Sequence, residues 1–310
     1  MKWNILADFF EEGGGRWLDD FIDDPALEFQ KVAPDTPAAS WHGQRRTTTG
    51  WRKWLRHIRH AQKGLASNPD GIVTCFPQLA MSTAFLKRVR RLKTPIVAHN
   101  FNLGPLSPGV RRHLARFAAP AIDRFFVHAP SEVAPYAAYL GVAEDRIQFV
   151  PLQRREFPWP RAEDTKSPYI LAMGSAHRDY ATLVAALEPL RVRTIIVTRA
   201  DTIATLPKHD WIEYQHSLSE EECAQLLARA RLSVTPISNL ETASGQVTFI
   251  EAMRAGVAVI ATDCPGTEGY ITDGETGLLV RPFDVDDMCA KIKQLWNDEA
   301  SRMAQARQAQ

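Results

Sequence analysis

Short, nearly continuous apolar runs recur along this chain, separated by small-residue loops and by stretches of helical period. In the first half the runs are WNILADFF (residues 3–10), an edge or first strand, then GIVTCF, PIVAHN, RFFVHA and RIQFVPL. In the second half they are YILAMGS, TIIVT, WIEYQHSL, SVTPI and VAVIATD. Runs of this kind lack the alternation of a half-exposed strand, so they predict strands buried on both faces of a parallel sheet. Helices are expected between them over 50–65, over Met81 to Lys93, from Arg111-Arg112, after Ser131 as cap, over ATLVAAL and SEEECAQLLARA, and from the loop 242–248 to a stop at Gly256. Strands alternating with helices predict an α/β fold with parallel sheets, whose ligands sit at the carboxyl ends of the strands. Asp23 to Thr49 shows no period and is expected to be irregular. Arg154 to Pro168 mixes charges with three prolines and suits a hinge, giving domains of 1–153 and 154–310.

Length agrees with that division, since 310 residues exceed what one core usually organises. A hydrophobic content of 45% and a charged content of 24% are those of a soluble globular protein. No apolar run is long enough to span a bilayer, and Glu11 and Glu12 stand where a signal peptide would have its cleavage region, so a cytoplasmic location is expected. The four cysteines are scattered without a C-x-x-C pair and read as ordinary thiols.

Charge changes the picture more. Residues 1–150 hold 20 Lys and Arg against 14 Asp and Glu, a net of +6, whereas 151–310 hold 17 against 22, a net of −5. Between Lys31 and Pro130 there are 17 basic residues against three acids, a net of +14, which suits a polyanion or an anionic membrane surface as partner. The segment GWRKWLRHIRHAQKGL (50–65) concentrates this charge. Trp51, Trp54, Leu55, Ile58 and Leu65 fall in one arc of a helix, with Arg52, Lys53, Arg56 and Arg59 among the residues opposite. Two readings stay open: a surface helix packing its Trp face on the sheet, or a helix lying at the inner face of a membrane. Nucleic acid is not expected, because no stacking motif or helix-turn-helix signature accompanies the charge.

The stretch from Ser233 to Leu279 carries the most chemistry. A strand, the small-residue loop 242–248, a helix bearing Glu251 and a buried strand ending at Asp263 follow one another. Such a loop presents backbone amides at the positive end of a helix dipole, a site for phosphate or sugar hydroxyls, with Ser244, Gly245, Gln246 and Thr248 in place. Residue spacing alone equally allows a turn glycine and a solvated helix glutamate. His99, at the carboxyl end of its strand, is either a ligand contact or a hydrogen-bonded structural histidine. Asp284-Val-Asp286 resembles a metal-binding D-x-D, but it opens a helix and is read as an N-cap, with no metal expected.

The run G-Q-V-T-F-I-E-A-M-R-A-G-V-A-V-I-A-T-D (245–263), followed by G-x-x-G-Y-I-x-D-G-E-T-G-L-L-V, resembles the donor-binding half of the family-4 retaining glycosyltransferases of the GT-B fold. The resemblance covers roughly the last 140 residues well and the first 150 weakly. It implies two Rossmann-like domains facing across a cleft, the first for the acceptor and the second for a nucleotide-sugar. It implies ribose binding by Glu251, amides from 244–248 for phosphate and sugar, and a diphosphate grip by Arg178, with Arg199 as a second candidate. The nucleobase falls near His216 to Leu218. His99 lies near the reacting centre, and the glycine loop with Gly14 and Gly15 lies on the acceptor side. The family's second glutamate, eight residues before the first, is Ala243 here, with Glu241 two residues away. The function implied is transfer of a hexose, with retention, to a glycan or lipid-linked glycan in polysaccharide biosynthesis, with no cofactor; the basic charge of 31–130, read separately, adds peripheral membrane association as an expectation. Its rivals are a nucleotide-sugar epimerase or hydrolase, and a catalytically weak scaffold subunit of a polysaccharide assembly.

Overall fold

The structure is a computed structural model that describes residues 1–10, 17–35, 50–154 and 156–310; it divides into two compact units, Met1–Val150 and Pro151–Gln310. The division falls three residues before the boundary expected at the proline-rich segment.

The first unit runs β1 (Lys2–Leu6), β2 (Glu28–Val32), α1 (Trp51–Ala66), β3 (Gly71–Cys75), α2 (Pro77–Val89), β4 (Ile96–His99), α3 (Val110–Ala118), β5 (Arg124–Val127), α4 (Val133–Leu140) and β6 (Ile147–Phe149). Its sheet has the order β2-β1-β3-β4-β5-β6, with every pairing parallel. Successive residues of a strand point to opposite faces, so Leu6 joins Leu65, Ile72 and Leu79 under α1 and α2, while Ile5 joins Phe10 and Cys75. The order reverses between β1 and β3, which makes their carboxyl ends a topological switch point.

The structure departs from four expectations. The segment expected to be irregular contains β2, an edge strand exposed at alternate residues and therefore without the apolar run that marks its neighbours. The next helix, α2, starts at Pro77, with proline in its first turn where no amide is needed, and ends at Val89, before the left-handed Arg91. Ser131 does not cap α4, which follows a short 3₁₀ turn over Pro130–Glu132 with no side-chain cap bond. On α1 the arc that faces the sheet is not the predicted Trp face: His57, His60, Ala61, Gly64 and Leu65 are buried, whereas Trp54 and Leu55 are exposed. The physical reason is Asp8, just beyond β1. It lies 3.3 Å from His57 Nδ1 and 3.4 Å from His60 Nδ1, accepts a bond from Arg56 Nη2 at 3.2 Å, and rotates the helix towards its polar side. Burial opposes ionisation of Asp8, but the bonds to His57 and His60 outweigh it and hold the carboxyl well below the usual range. Ile58 packs at the rim of the core, Arg59 is exposed and Lys53 is half-buried. The side chains of Trp51 and Arg52 lie outside the described residues.

The second unit runs β7 (Ile170–Met173), α5 (Tyr180–Leu187), β8 (Thr194–Val197), α6 (Ala200–Ile203), β9 (Ile212–Gln215), α7 (Glu220–Arg229), β10 (Leu232–Thr235), α8 (Gln246–Arg254), β11 (Ala258–Thr262), β12 (Leu278–Val280), α9 (Val285–Asn297) and α10 (Glu299–Ala309). The order is β12-β11-β10-β7-β8-β9, again all parallel. Both faces are covered: Ile170, Ile196, Val234 and Ile260 pack beneath α5 and α9, and Leu171, Ile195, Val259 and Ala261 pack beneath α8. Asp284 caps α9 by accepting the Asp287 amide at 2.8 Å, the role read from the sequence. Among the described residues no group of three His, Cys, Asp or Glu is arranged to hold a metal, and no helix is long and apolar enough to cross a membrane.

Candidate functional site

The strand order of the second unit reverses between β7 and β10, so the loops after these two strands share one end of the sheet. They are stitched together backbone to backbone. Arg178 forms an antiparallel bridge with Ile237, the Asp179 amide donates to Pro236 O at 3.1 Å, and the Ser238 amide donates to His177 O at 3.0 Å.

Arg178 is the centre of this junction. Its Nε donates to Met173 O at 3.1 Å, Nη1 to Ala176 O at 2.7 Å and Nη2 to Thr248 Oγ1 at 2.9 Å. A guanidinium has five N–H donors, so three bonds fix its plane and leave two donors for a ligand. Burial lowers its pKa, which marks a cation held where water screens it poorly. Gly174 makes room for it: the backbone there has φ +118°, and a Cβ would stand 2.5 Å from Arg178 Nη2.

Thr248 belongs to the first turn of α8. Gly245 is its N-cap in the left-handed conformation, with φ +90°, and the turn has neither a side-chain cap nor an acidic residue. The positive end of the helix dipole and the guanidinium therefore converge, an arrangement that attracts phosphate. Ser244 and Thr248 are partly exposed and Gln246 is buried. Gly266, in the loop after β11, presses on the Ser244 backbone so closely that a Cβ would come within 2.0 Å of Ser244 O. It belongs to the G-x-x-G pattern already noted, though its contact with residue 244 depends on the fold.

Glu251 lies further along α8, and its Oε1 accepts Arg154 Nε at 2.6 Å. Nothing in the sequence announced this partner, because 97 residues separate the two. Ala243 is buried, while Glu241 is exposed in a turn held by Asn239, whose Oδ1 accepts the amides of Glu241 and Thr242 at 3.0 and 3.2 Å. In this arrangement Glu241 does not fill the position of residue 243.

The other expected residues of this unit lie elsewhere along the sheet. Arg199, after β8, is exposed and paired with Asp201 at 3.0 Å. His216 is exposed after the edge strand β9, its Nδ1 3.1 Å from Ser217 Oγ, and Leu218 packs on the core beneath α8. Arg178, 244–248 and Glu251 are brought together; Arg199, His216 and Leu218 are not joined to them.

In the first unit, His99 closes β4 as expected. It is buried among the rings of Trp17, Phe126 and His128, with centroids 5.3, 6.1 and 5.7 Å away. Burial, with His128 beside it, holds its imidazole down at about 4, so it is neutral at pH 7. His128 Nδ1 donates to Val150 O at 2.7 Å, and its Nε2 bonds Asn100. Gly14 and Gly15 lie outside the described residues. Sequence reading passed over Glu132, a buried carboxyl 3.0 Å from Tyr136 Oη that burial pushes up to about 7.

Residues 167–298 match the family Glycosyl transferases group 1. No curated protein sequence matches the chain. The whole chain is similar in fold to Anabaena HepE in complex with UDP and glucose, at TM-score 0.65 and 14% identity, covering 100% of this chain and 94% of that one. It is also similar to sucrose-phosphate synthase from Thermosynechococcus elongatus, at TM-score 0.69, 16% identity and coverage of 99% and 92%. A third likeness is to the catalytic domain of starch synthase IV from Arabidopsis thaliana bound to ADP and acarbose, at TM-score 0.70, 11% identity and coverage of 99% and 94%. A group 1 domain over 167–298, in a chain whose two six-stranded parallel sheets follow the GT-B pattern, makes this protein a glycosyltransferase.

Proposed function

We propose that the protein transfers a hexose from a nucleotide-sugar, with retention at the anomeric carbon, to a glycan or lipid-linked glycan acceptor at the cytoplasmic face of a membrane. The observation that carries the proposal is the junction of Arg178 with the uncapped N-terminus of α8, with Glu251 further along that helix, inside the matched domain. Glu251 accepts the ribose hydroxyls, and the amides of 244–248 with Arg178 hold the diphosphate. Arg199 is the second phosphate contact, with the base near His216 and Leu218. As the glycosidic bond breaks, negative charge grows on the departing nucleoside diphosphate, and preoriented donors stabilise it without a resident metal or cofactor. His99, with the loop of Gly14 and Gly15, serves the acceptor. The neighbours support the donor class by similarity, since HepE is seen with UDP and glucose and the starch synthase with ADP and acarbose.

Incubation with UDP-, ADP- and GDP-hexoses, with and without oligosaccharide acceptors, tests the proposal, and NMR of the product reads the anomeric configuration. Transfer that needs an acceptor is expected. Sugar released or isomerised from donor alone would favour a hydrolase or epimerase, and nucleotide binding without turnover would favour a scaffold subunit.

A further inference from the structure

The geometry points to the exposed face shared by α2 and α3 as a docking surface for a bilayer carrying anionic lipid, in place of the Trp face of α1. This inference rests on the lipid-linked branch of the reading above.

Helix α3 buries only Ala118. Val110, Leu114 and Phe117 follow one another at i, i+4 and i+7, so they form one stripe, yet they are 74%, 55% and 40% exposed. The stripe continues onto α2, where Phe85 and Val89 are 37% and 57% exposed and the Phe85 and Phe117 rings lie 5.8 Å apart. Single exposed apolar residues need no explanation, but five on two adjoining helices form a patch of the kind that marks an interaction surface.

Charge decides what fits it. From Gly71 to Ile122 the chain has eight Lys or Arg and no Asp or Glu. Lys87 is taken by Asp123 at 2.9 Å, and Arg116 is spent on the carbonyls of Ala138 and Tyr139 at 2.8 and 3.2 Å. The remaining six, Arg88, Arg90, Arg91, Lys93, Arg111 and Arg112, have no carboxylate partner among the described residues. The Arg88 guanidinium lies 4.8 Å above the Phe117 ring, charge directly on the apolar stripe. An anionic bilayer offers acyl chains for the stripe and headgroups for the arginines, whose stems lie along apolar surface while the charge stays at the interface. A two-fold contact with a second copy would set these cations against themselves. Helix α1 is less suited, because Arg56 is bound to Asp8 and Lys63 to Asp35, at 3.2 Å each.

The test is sedimentation of the full chain, without donor or acceptor, with phosphatidylcholine vesicles and with vesicles containing about a third phosphatidylglycerol, at low and high salt. Pelleting with the anionic vesicles at low salt is expected, falling as salt rises. A Leu114→Ser, Phe117→Ser variant should bind roughly 10-fold less, and an Arg111→Glu, Arg112→Glu variant roughly 10- to 100-fold less. A Trp54→Ser, Leu55→Ser variant of α1 should bind like the wild type. All these positions are exposed, so folding, checked by melting temperature, should persist. Failure of the wild type to bind anionic vesicles would overturn the inference, as would loss confined to the α1 variant. Charge reversal that abolishes binding while Leu114→Ser, Phe117→Ser leaves it intact would overturn it too, in favour of a soluble polyanion such as RNA. Transfer to a soluble acceptor, measured separately, should be unchanged in the α3 variants; its absence from the wild type would count against glycosyl transfer and not against docking.

Discussion

Replacing Glu251 and Arg154, singly and together, separates a ligand carboxylate from a structural ion pair. The bond from Arg154 Nε to Glu251 Oε1 is short, at 2.6 Å, but the side chains are 37% and 22% exposed. An ion pair this open to solvent contributes about 0 to 1 kcal/mol, so Glu251→Ala should lower the melting temperature by no more than a few degrees. Two ribose hydroxyls donating to the same carboxylate would each contribute about 1.5 to 3 kcal/mol. The nucleotide must first displace Arg154, and subtracting about 1 kcal/mol, the upper value for such a pair, leaves roughly 2 to 5 kcal/mol. Glu251→Ala should therefore weaken nucleoside diphosphate binding roughly 30-fold to several thousand-fold. Arg154→Ala should tighten binding by up to about 5-fold, because the carboxylate is then free at the outset. In the double variant the gain should vanish, a coupling that reports contact between the two side chains. Titration calorimetry with UDP, ADP and GDP reads all three. Unchanged affinity in a normally folded Glu251→Ala protein would remove the residue from the site. Loss on Arg154→Ala as large as on Glu251→Ala would mean that the arginine positions the carboxylate instead of competing for it.

Gly174→Ala should cost roughly 1 to 3 kcal/mol of stability through its φ of +118° and displace Arg178, weakening nucleoside diphosphate much more than nucleoside; equal losses in calorimetry would indicate a packing defect. Arg178→Lys should recover only part of the binding lost in Arg178→Ala, since an ammonium keeps the charge without the planar fork. Glu132 is held at about 7 in the folded protein against 4.5 unfolded, so the folded state binds the extra proton and stability should fall as pH rises from about 4.5 to 7; Glu132→Gln should flatten that part of a melting-temperature profile. His99 is held at about 4 against 6.5 unfolded, the opposite sign, so stability should be lost as pH falls from about 6.5 to 4. In transfer assays His99→Ala should lower kcat while leaving nucleotide affinity within a few-fold, and equal loss of both would remove it from the acceptor side.

The buried parallel strands were legible from sequence, because a strand covered on both faces carries no charged side chain and few polar ones, as in β7 (ILAM), β8 (TIIV) and β11 (AVIAT). The loop and helix carrying 244–248 and Glu251 were legible for a related reason: glycine in the left-handed conformation followed by a nine-residue helix is a local pattern. The edge strand β2 was not, since one open side frees it from the apolar run. Nor was the rotation of α1, where Asp8, from another element, turned the histidine face inward against the pull of the tryptophan stripe. Arg178 could be named from its residue type, but its fixed plane arises where two loops meet at the reversal of strand order. Periodicity and turn chemistry act over a few residues and determined the elements; pairings such as Arg154 with Glu251, 97 positions apart, exist only once the sheet has set its order, and the tertiary structure alone decided them.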